Sequence, residues 1–369
     1  MADSDPKKPG RLDFVDWARG AGAAIMLQGH VFHSFTEPGL REHPAYIYSQ
    51  FVGGMPPAIF LFLTGVTLAF LMDSMERKGV AVGARIVGAL KRARYLLLLA
   101  VGFRIQMWLF GWPRPVDDLF KVDVLNCMGV SVALFSLLAA MSTLARLRWC
   151  LGLGVAIAAA APVVTQSAAN QLHPWLRWYI VPDVNYFGLF PWAAYLAFGI
   201  AIGSAFRVVP HHHYSRLMQW LTLLGFGVIF ASQYFSNLPL SLYERSEFWL
   251  DSPALVFIKT GSILILLAFA YVWTYYIAAP GWSWIRQLGT SSLLVYWVHV
   301  ELVYGRWFWF CKESLGIGQA TVAAIAVVLL MVWLAYVKTN WARVRPAWAR
   351  EVSGWFGPRA ASPHAARGD

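Results

Sequence analysis

Residues 16–35 read DWARGAGAAIMLQGHVFHSF, a run apolar enough to cross a bilayer that nevertheless carries Arg19, His30 and His33. An ionisable group at bilayer depth costs several kcal/mol unless protein or water receives it. A span that keeps three must turn them toward an interior that pairs or uses them. The composition around this stretch identifies its solvent. Of 369 residues, 58% are hydrophobic, 16% aromatic and 13% charged, and the mean hydropathy is +0.52. That is more apolar surface than a soluble core needs.

Apolar runs of about 20 residues, the length an α-helix needs to cross the hydrocarbon core, recur along the chain. Ten candidate spans fall near 13–35, 55–73, 95–111, 122–144, 148–166, 188–206, 217–235, 253–278, 288–310 and 318–338. The expected fold is therefore all-α: a polytopic integral membrane protein with about ten transmembrane helices in one bundle. One transmembrane domain is expected over 11–340, between a tail at 1–10 and a partly disordered tail at 341–369. The basic stretch ARIVGALKRARY before the third span reads as an amphipathic segment along the interface. Residues 46–54, closed by GGMPP, read as a short helix outside the membrane, because Pro56 and Pro57 suit a helix start.

Lys and Arg counted by loop orient the bundle. With the N-terminus inside, 20 of the 30 lie in cytoplasmic segments and only seven opposite: Arg41, Arg114, Lys121, Arg177, Arg245, Arg306 and Lys312. Arg19, Arg104 and Lys259 remain within spans, with Arg104 read toward the outer half and Lys259 toward the cytoplasmic half. The positive-inside rule then puts both termini in the cytoplasm, and no cleavable signal precedes the first span.

The net charge of +11 is thus mostly a topology signal, and no nucleic-acid partner is indicated. Cys127, Cys150 and Cys311 lack CxxC spacing, so neither a disulfide framework nor a zinc site follows. The HHH at 211–213 reads as a solvated loop, since consecutive side chains diverge on a helix. No P-loop, dinucleotide fingerprint or GxSxG elbow is present.

Chemistry must then come from the ionisable groups at depth. Arg19 and His30 are eleven positions apart, almost three whole turns, so both project from one face roughly 16 Å apart along the axis. His33 follows on nearly the same face. In the ninth span, WIRQLGTSSLLVYWVHVELVYG places Arg286 at one edge, then His299 and Glu301, with His299 near the depth of His30. KVDVLNCMG brings Asp123 and Asn126 to that depth, where a carboxylate can orient an imidazole and raise its basicity as a general base. Asp13 and Asp16 lie close enough to pair with Arg19. His30, His33 and Glu37 also share a helical face, but three ligands on one helix strain a tetrahedral site, and no metal is expected. A proton-coupled transporter or flippase of a sugar or lipid, with His30, Asp123, His299 and Glu301 as a proton relay, is the rival reading.

Five segments in order, RLDFVDWARGAGAAIMLQGHVFHSF, PAIFLFLTGVTLAF, KVDVLNCMGVS, FPWAAYLAFGIAIG and LGTSSLLVYWVHVEL, resemble the bacterial relatives of heparan-α-glucosaminide N-acetyltransferase. These belong to the transmembrane acyltransferase superfamily with the acyltransferase-3 proteins, whose first span carries Arg, ten residues, then His, as Arg19 and His30 do here. The resemblance implies an acyltransferase (acetyltransferase) that takes an acyl group from cytoplasmic acetyl-CoA or another acyl-CoA. It delivers that group to a hydroxyl or amine of a sugar or glycan on the outer side, in a bacterial inner membrane, and suggests a homodimer among membrane lipid. Under it, His30 is the general base with His33 the alternative and Asp123 beside them, and Arg19, Arg92 and Arg94 hold the phosphates. Asn126, His299 and Glu301 meet the substrate, Asn126 standing where relatives often carry Gln.

Overall fold

The computed structural model describes residues 12–341 apart from 112, 114, 169–170, 184–185, 240–241 and 280. The expected tail 1–10 and all but the first residue of the tail 341–369 lie outside the described residues. Those described form an α-helical bundle with no strand; a single parallel bridge joins Thr36 to Leu315. In chain order the helices are α1 (Asp13–Phe35), α2 (Pro44–Gly53), α3 (Pro56–Arg77), α4 (Val82–Phe110), α5 (Val124–Phe135), α6 (Thr143–Ala168) and α7 (Pro174–Ile180). They continue with α8 (Leu189–Val208), α9 (Tyr214–Ser236), α10 (Pro253–Val272), α11 (Trp284–Thr290), α12 (Ser292–Tyr304) and α13 (Ile317–Thr339).

Seven segments among the described residues are long and apolar enough to cross a membrane: Pro44–Arg77, Val116–Ala140, Thr143–Ser167, Leu189–Val208, His211–Ser236, Pro253–Ile277 and Ile317–Thr339. The protein is therefore an all-α integral membrane protein. The other three expected spans differ from these in kind. α1 has the length, 23 residues, but carries Asp13, Asp16, Arg19 and two histidines. α4 runs unbroken for 29 residues, so the basic stretch expected along the interface is the first half of one continuous helix, whose backbone bonds continue through it. The expected ninth span is divided: α11 ends, Ser291 takes a non-helical φ/ψ of −118°/18°, and α12 begins. The short helix expected near 46–54 is α2, which starts at Pro44 behind His43 as its cap.

Small residues set how closely these helices approach. A methyl group on Gly20 would collide with the Ile285 carbonyl of α11, and one on Gly289 with the Asp16 carbonyl of α1. Where lipid tails are as apolar as the side chains, this backbone contact supplies the van der Waals packing that holds helices together. α1 is thereby clamped along its first half to α11. Its second half packs with α12 and α13 around Leu27, Val31, Phe35, Val295, Val303, Ala320 and Ala324. At the far end of the bundle from His30, a charge cluster ties three helices. Asp73 of α3, 1% exposed, accepts from Arg77 at 2.9 Å, Arg207 of α8 at 2.5 Å and Thr143 of α6 at 2.9 Å. Arg146, wholly buried, pairs with Glu76 at 2.9 Å.

Candidate functional site

α1 carries chemistry at both ends of its buried face. Near its start, Arg19 pairs with Asp16 at 2.8 Å, the i−3 partner expected from spacing, while Asp13 meets Arg286 at 3.4 Å. Arg19 also lines a chamber of about 290 Å³ with Thr64 and Thr67 of α3, Arg92 and Tyr95 of α4, Gly289 to Leu293 and Tyr296 at the α11–α12 break, and Lys338 of α13. Three cations and several hydroxyls thus line one space, Arg19 half-buried and Arg92 and Lys338 reaching solvent. Such a chamber suits a polyanion, because guanidinium groups make charge-assisted bonds to phosphate oxygens. Of the residues expected there, Arg19 and Arg92 line the chamber and Arg94, exposed on α4, does not. Lys338 joins them although nothing in the sequence marked it, since its pattern is that of any basic helix end.

Eleven residues along α1, His30 Nδ1 lies 2.9 Å from His299 Nε2, the rings nearly parallel with centroids 5.1 Å apart. His299 is fully buried, and its Nδ1 is 2.8 Å from the Val295 carbonyl one turn back. Tyr304 packs edge-on against His30 at 5.2 Å. His33 is exposed, with its Nδ1 3.3 Å from the Tyr304 hydroxyl and its ring against the same tyrosine, centroids 5.9 Å apart. Tyr296 connects the two regions: it lines the chamber and packs edge-on against His299, with centroids 5.9 Å apart.

The remaining expected residues have partners of their own. Asp123 was expected to orient an imidazole. Instead it accepts from the Leu125 and Asn126 amides at 2.9 and 3.1 Å, closing the start of α5, and lies 3.1 Å from Arg104. An N-terminal cap is the ordinary use of Asp directly before a helix, and the DVLN spacing carried that signal. Asn126 donates to the Tyr179 hydroxyl at 3.2 Å. Glu301 is nearly buried and accepts from Gln106 at 3.4 Å and Trp307 at 3.3 Å; Trp297 donates to the same Gln106. Two residues past His299 on a helix, Glu301 points elsewhere. It straps α12 to α4, where it was expected to contact substrate beside the histidines. Lys259, expected toward the Arg19 end, donates to the Gly54 carbonyl at 3.0 Å, in the turn that packs on Gly29 beside His30. This follows from its place near the start of α10.

A larger groove, about 880 Å³, opens between α1, α2 and α13. It is lined mostly by apolar side chains such as Ile25, Phe32, Val52 and Leu329, with Gln28, Tyr48, Ser49 and Thr321 among them and no histidine, carboxylate, lysine or arginine. Among the described residues no three His, Cys, Asp or Glu side chains gather as metal ligands.

The family model described as heparan-alpha-glucosaminide N-acetyltransferase, catalytic, matches residues 11–239. That segment contains Arg19, His30, Arg92 and Asp123, whereas His299, Tyr296 and Lys338 come from helices beyond it. No curated protein matches the chain with significance.

Proposed function

The chain belongs to the heparan-alpha-glucosaminide N-acetyltransferase catalytic family, and from that premise we propose that it is an acyl-CoA-dependent membrane acyltransferase with His30 as general base. The donor is acetyl-CoA or another short acyl-CoA approaching from the cytoplasm. The acceptor is a hydroxyl or amine of a sugar or glycan on the opposite side. One observation carries the reading: a single helix brings Arg19 into a tricationic chamber and, eleven residues on, His30 into contact with a second imidazole. The roughly 16 Å between them along the helix is comparable to the reach of a pantetheine arm.

In this reading Arg19, Arg92 and Lys338 bind the anionic end of the donor and Arg94 attracts it at the mouth. The thioester then lies past Tyr296, beside the histidines. His30 takes the proton from the acceptor hydroxyl or amine as its oxygen or nitrogen attacks the thioester carbon. The carbon–sulfur bond breaks, and the CoA thiolate leaves with the proton that His30 held. Asp123, Asn126 and Glu301 act on this centre only through the helices they fasten. The distribution of Lys and Arg supports cytoplasmic termini; the bacterial inner membrane and a transferase domain over 11–340 follow from the family reading alone.

The test is transfer of radiolabelled acetyl from acetyl-CoA to sugar amines and hydroxyls by the wild type and His30→Ala in lipid nanodiscs. Transfer by the wild type and its loss in the variant are expected. Wild-type activity in His30→Ala would remove His30 from the mechanism.

A further inference from the structure

The two hydrogen bonds of His299 determine which nitrogen of His30 carries a lone pair. The Val295 carbonyl can only accept, so His299 Nδ1, 2.8 Å away, carries the proton of that bond. His299 is fully buried, and a charged imidazole there would be far more costly than a neutral one. A neutral imidazole has one N–H, already committed to Val295, so His299 Nε2 is an acceptor. His30 Nδ1, 2.9 Å from it, must then be the donor. In neutral His30, the form a general base must have at rest, a proton on Nδ1 leaves Nε2 bare.

We infer that His299 is a positioning residue: anchored to Val295 through Nδ1, it accepts at Nε2, locks His30 in the Nδ1–H tautomer and so makes His30 Nε2 the proton-accepting atom. The role is the one a buried carboxylate plays behind a catalytic histidine, filled by a neutral group. A carboxylate would add a second charge to be desolvated at this depth, whereas an imidazole adds none. When His30 takes the acceptor's proton on Nε2, its Nδ1–H bond to His299 becomes charge-assisted and strengthens. The bond thus favours the protonated state that forms during transfer over the resting one. His299 touches no reacting atom and works through His30 alone. Because Val295 and His299 belong to α12 and His30 to α1, the tautomer also depends on the seating of α12 against α1, which Ser34 Oγ reinforces by donating to the Val303 carbonyl at 2.9 Å.

The assignment of His299 to the reaction rests on the acyltransferase reading; the tautomer does not. Full-length protein labelled with ¹⁵N-histidine in nanodiscs is examined by NMR, with His30→Gln identifying the His30 signals, alongside acetyl-transfer kinetics of His299→Phe and His299→Gln. The resting wild type should show His30 protonated at Nδ1 and bare at Nε2. His299→Phe should lose that signature and roughly 10- to 100-fold in kcat, the loss expected for one hydrogen bond to a charged group, with KM for acetyl-CoA unchanged. His299→Gln, whose amide oxygen can accept from His30 Nδ1, should recover most of the loss. Retained stabilisation by CoA shows that each variant is folded. His30 protonated at Nε2 in the wild type, wild-type kcat in His299→Phe, or a His299→Gln no better than His299→Phe would each overturn the inference. Absent transfer with the expected tautomer would sink the acyltransferase reading and leave the tautomer assignment standing.

Discussion

His30 and His33 stand three positions apart on one helix, yet one meets a buried imidazole and the other a tyrosine hydroxyl at the surface. Their substitution should therefore separate cleanly. His30→Ala should lower acetyl transfer by roughly 10²- to 10⁴-fold, the span typical of losing a general base, while His33→Ala stays within a few-fold of wild type in the same assay. At this scale the helical period alone made the Arg19–His30 face legible, because eleven residues close almost three turns whatever surrounds them. The partner of His30 was not legible in that way. Asp123 offers the chemistry of an orienting group and sits at a suitable depth, but its carboxylate is taken by the nearest backbone amides and by Arg104. Depth along a span does not give the direction in which a side chain points, and only the packing of α12 on α1 brings His299 into reach.

Between elements, fit is governed by what the helices lack as much as by what they bear. Gly289→Leu would drive a side chain into the Asp16 carbonyl of α1, and overpacking of this kind costs about 1–3 kcal/mol or more. The variant should unfold at a lower temperature in detergent and lose transfer activity with it, since α1 holds both Arg19 and His30. Asp73→Ala should also destabilise, by about 2–3 kcal/mol. This is less than the ~3–5 kcal/mol of a fully buried pair because Arg77 reaches solvent. Its catalytic constants, measured below the unfolding temperature, should be nearly those of the wild type, because the cluster joins α3, α6 and α8 at the far end from His30. The ninth span shows where periodicity misleads: an apolar run of the right length need not be one helix. The run Gly289-Thr290-Ser291-Ser292, all poor helix formers, was its local sign of a break.

At the scale of the whole molecule, the donor site proposed for the chamber predicts a thermal response. CoA binding only the folded state should raise the melting temperature, with about 2.7 kcal/mol of stabilisation at a ligand concentration 100 times Kd. Arg19→Met, Arg92→Met and Lys338→Met combined should abolish that shift and raise KM for acetyl-CoA, with kcat at saturation changed less. An unchanged shift would place the phosphates elsewhere. The fold class was legible in composition and hydropathy because lipid admits few backbone solutions other than helices. The number of fully apolar helices was not. α1 and α4 tolerate charge through their neighbours, and no count along the chain sees neighbours.

The break at Ser291 has a consequence for the chamber beside it. Where α11 stops and α12 starts, carbonyls at one end and amides at the other lose their partners along the helix, and hydrocarbon offers no replacement. Part of the replacement is local, the Ser291 amide turning back to the Leu288 carbonyl at 3.2 Å and the Thr290 hydroxyl donating to the Gln287 carbonyl at 2.9 Å, and polar surroundings supply the rest. The hydroxyls and cations lining the Arg19 chamber lie directly against this break, so the polar space and the interrupted helix sit together. On the proposed reading, a donor would enter beside backbone already held in a polar setting.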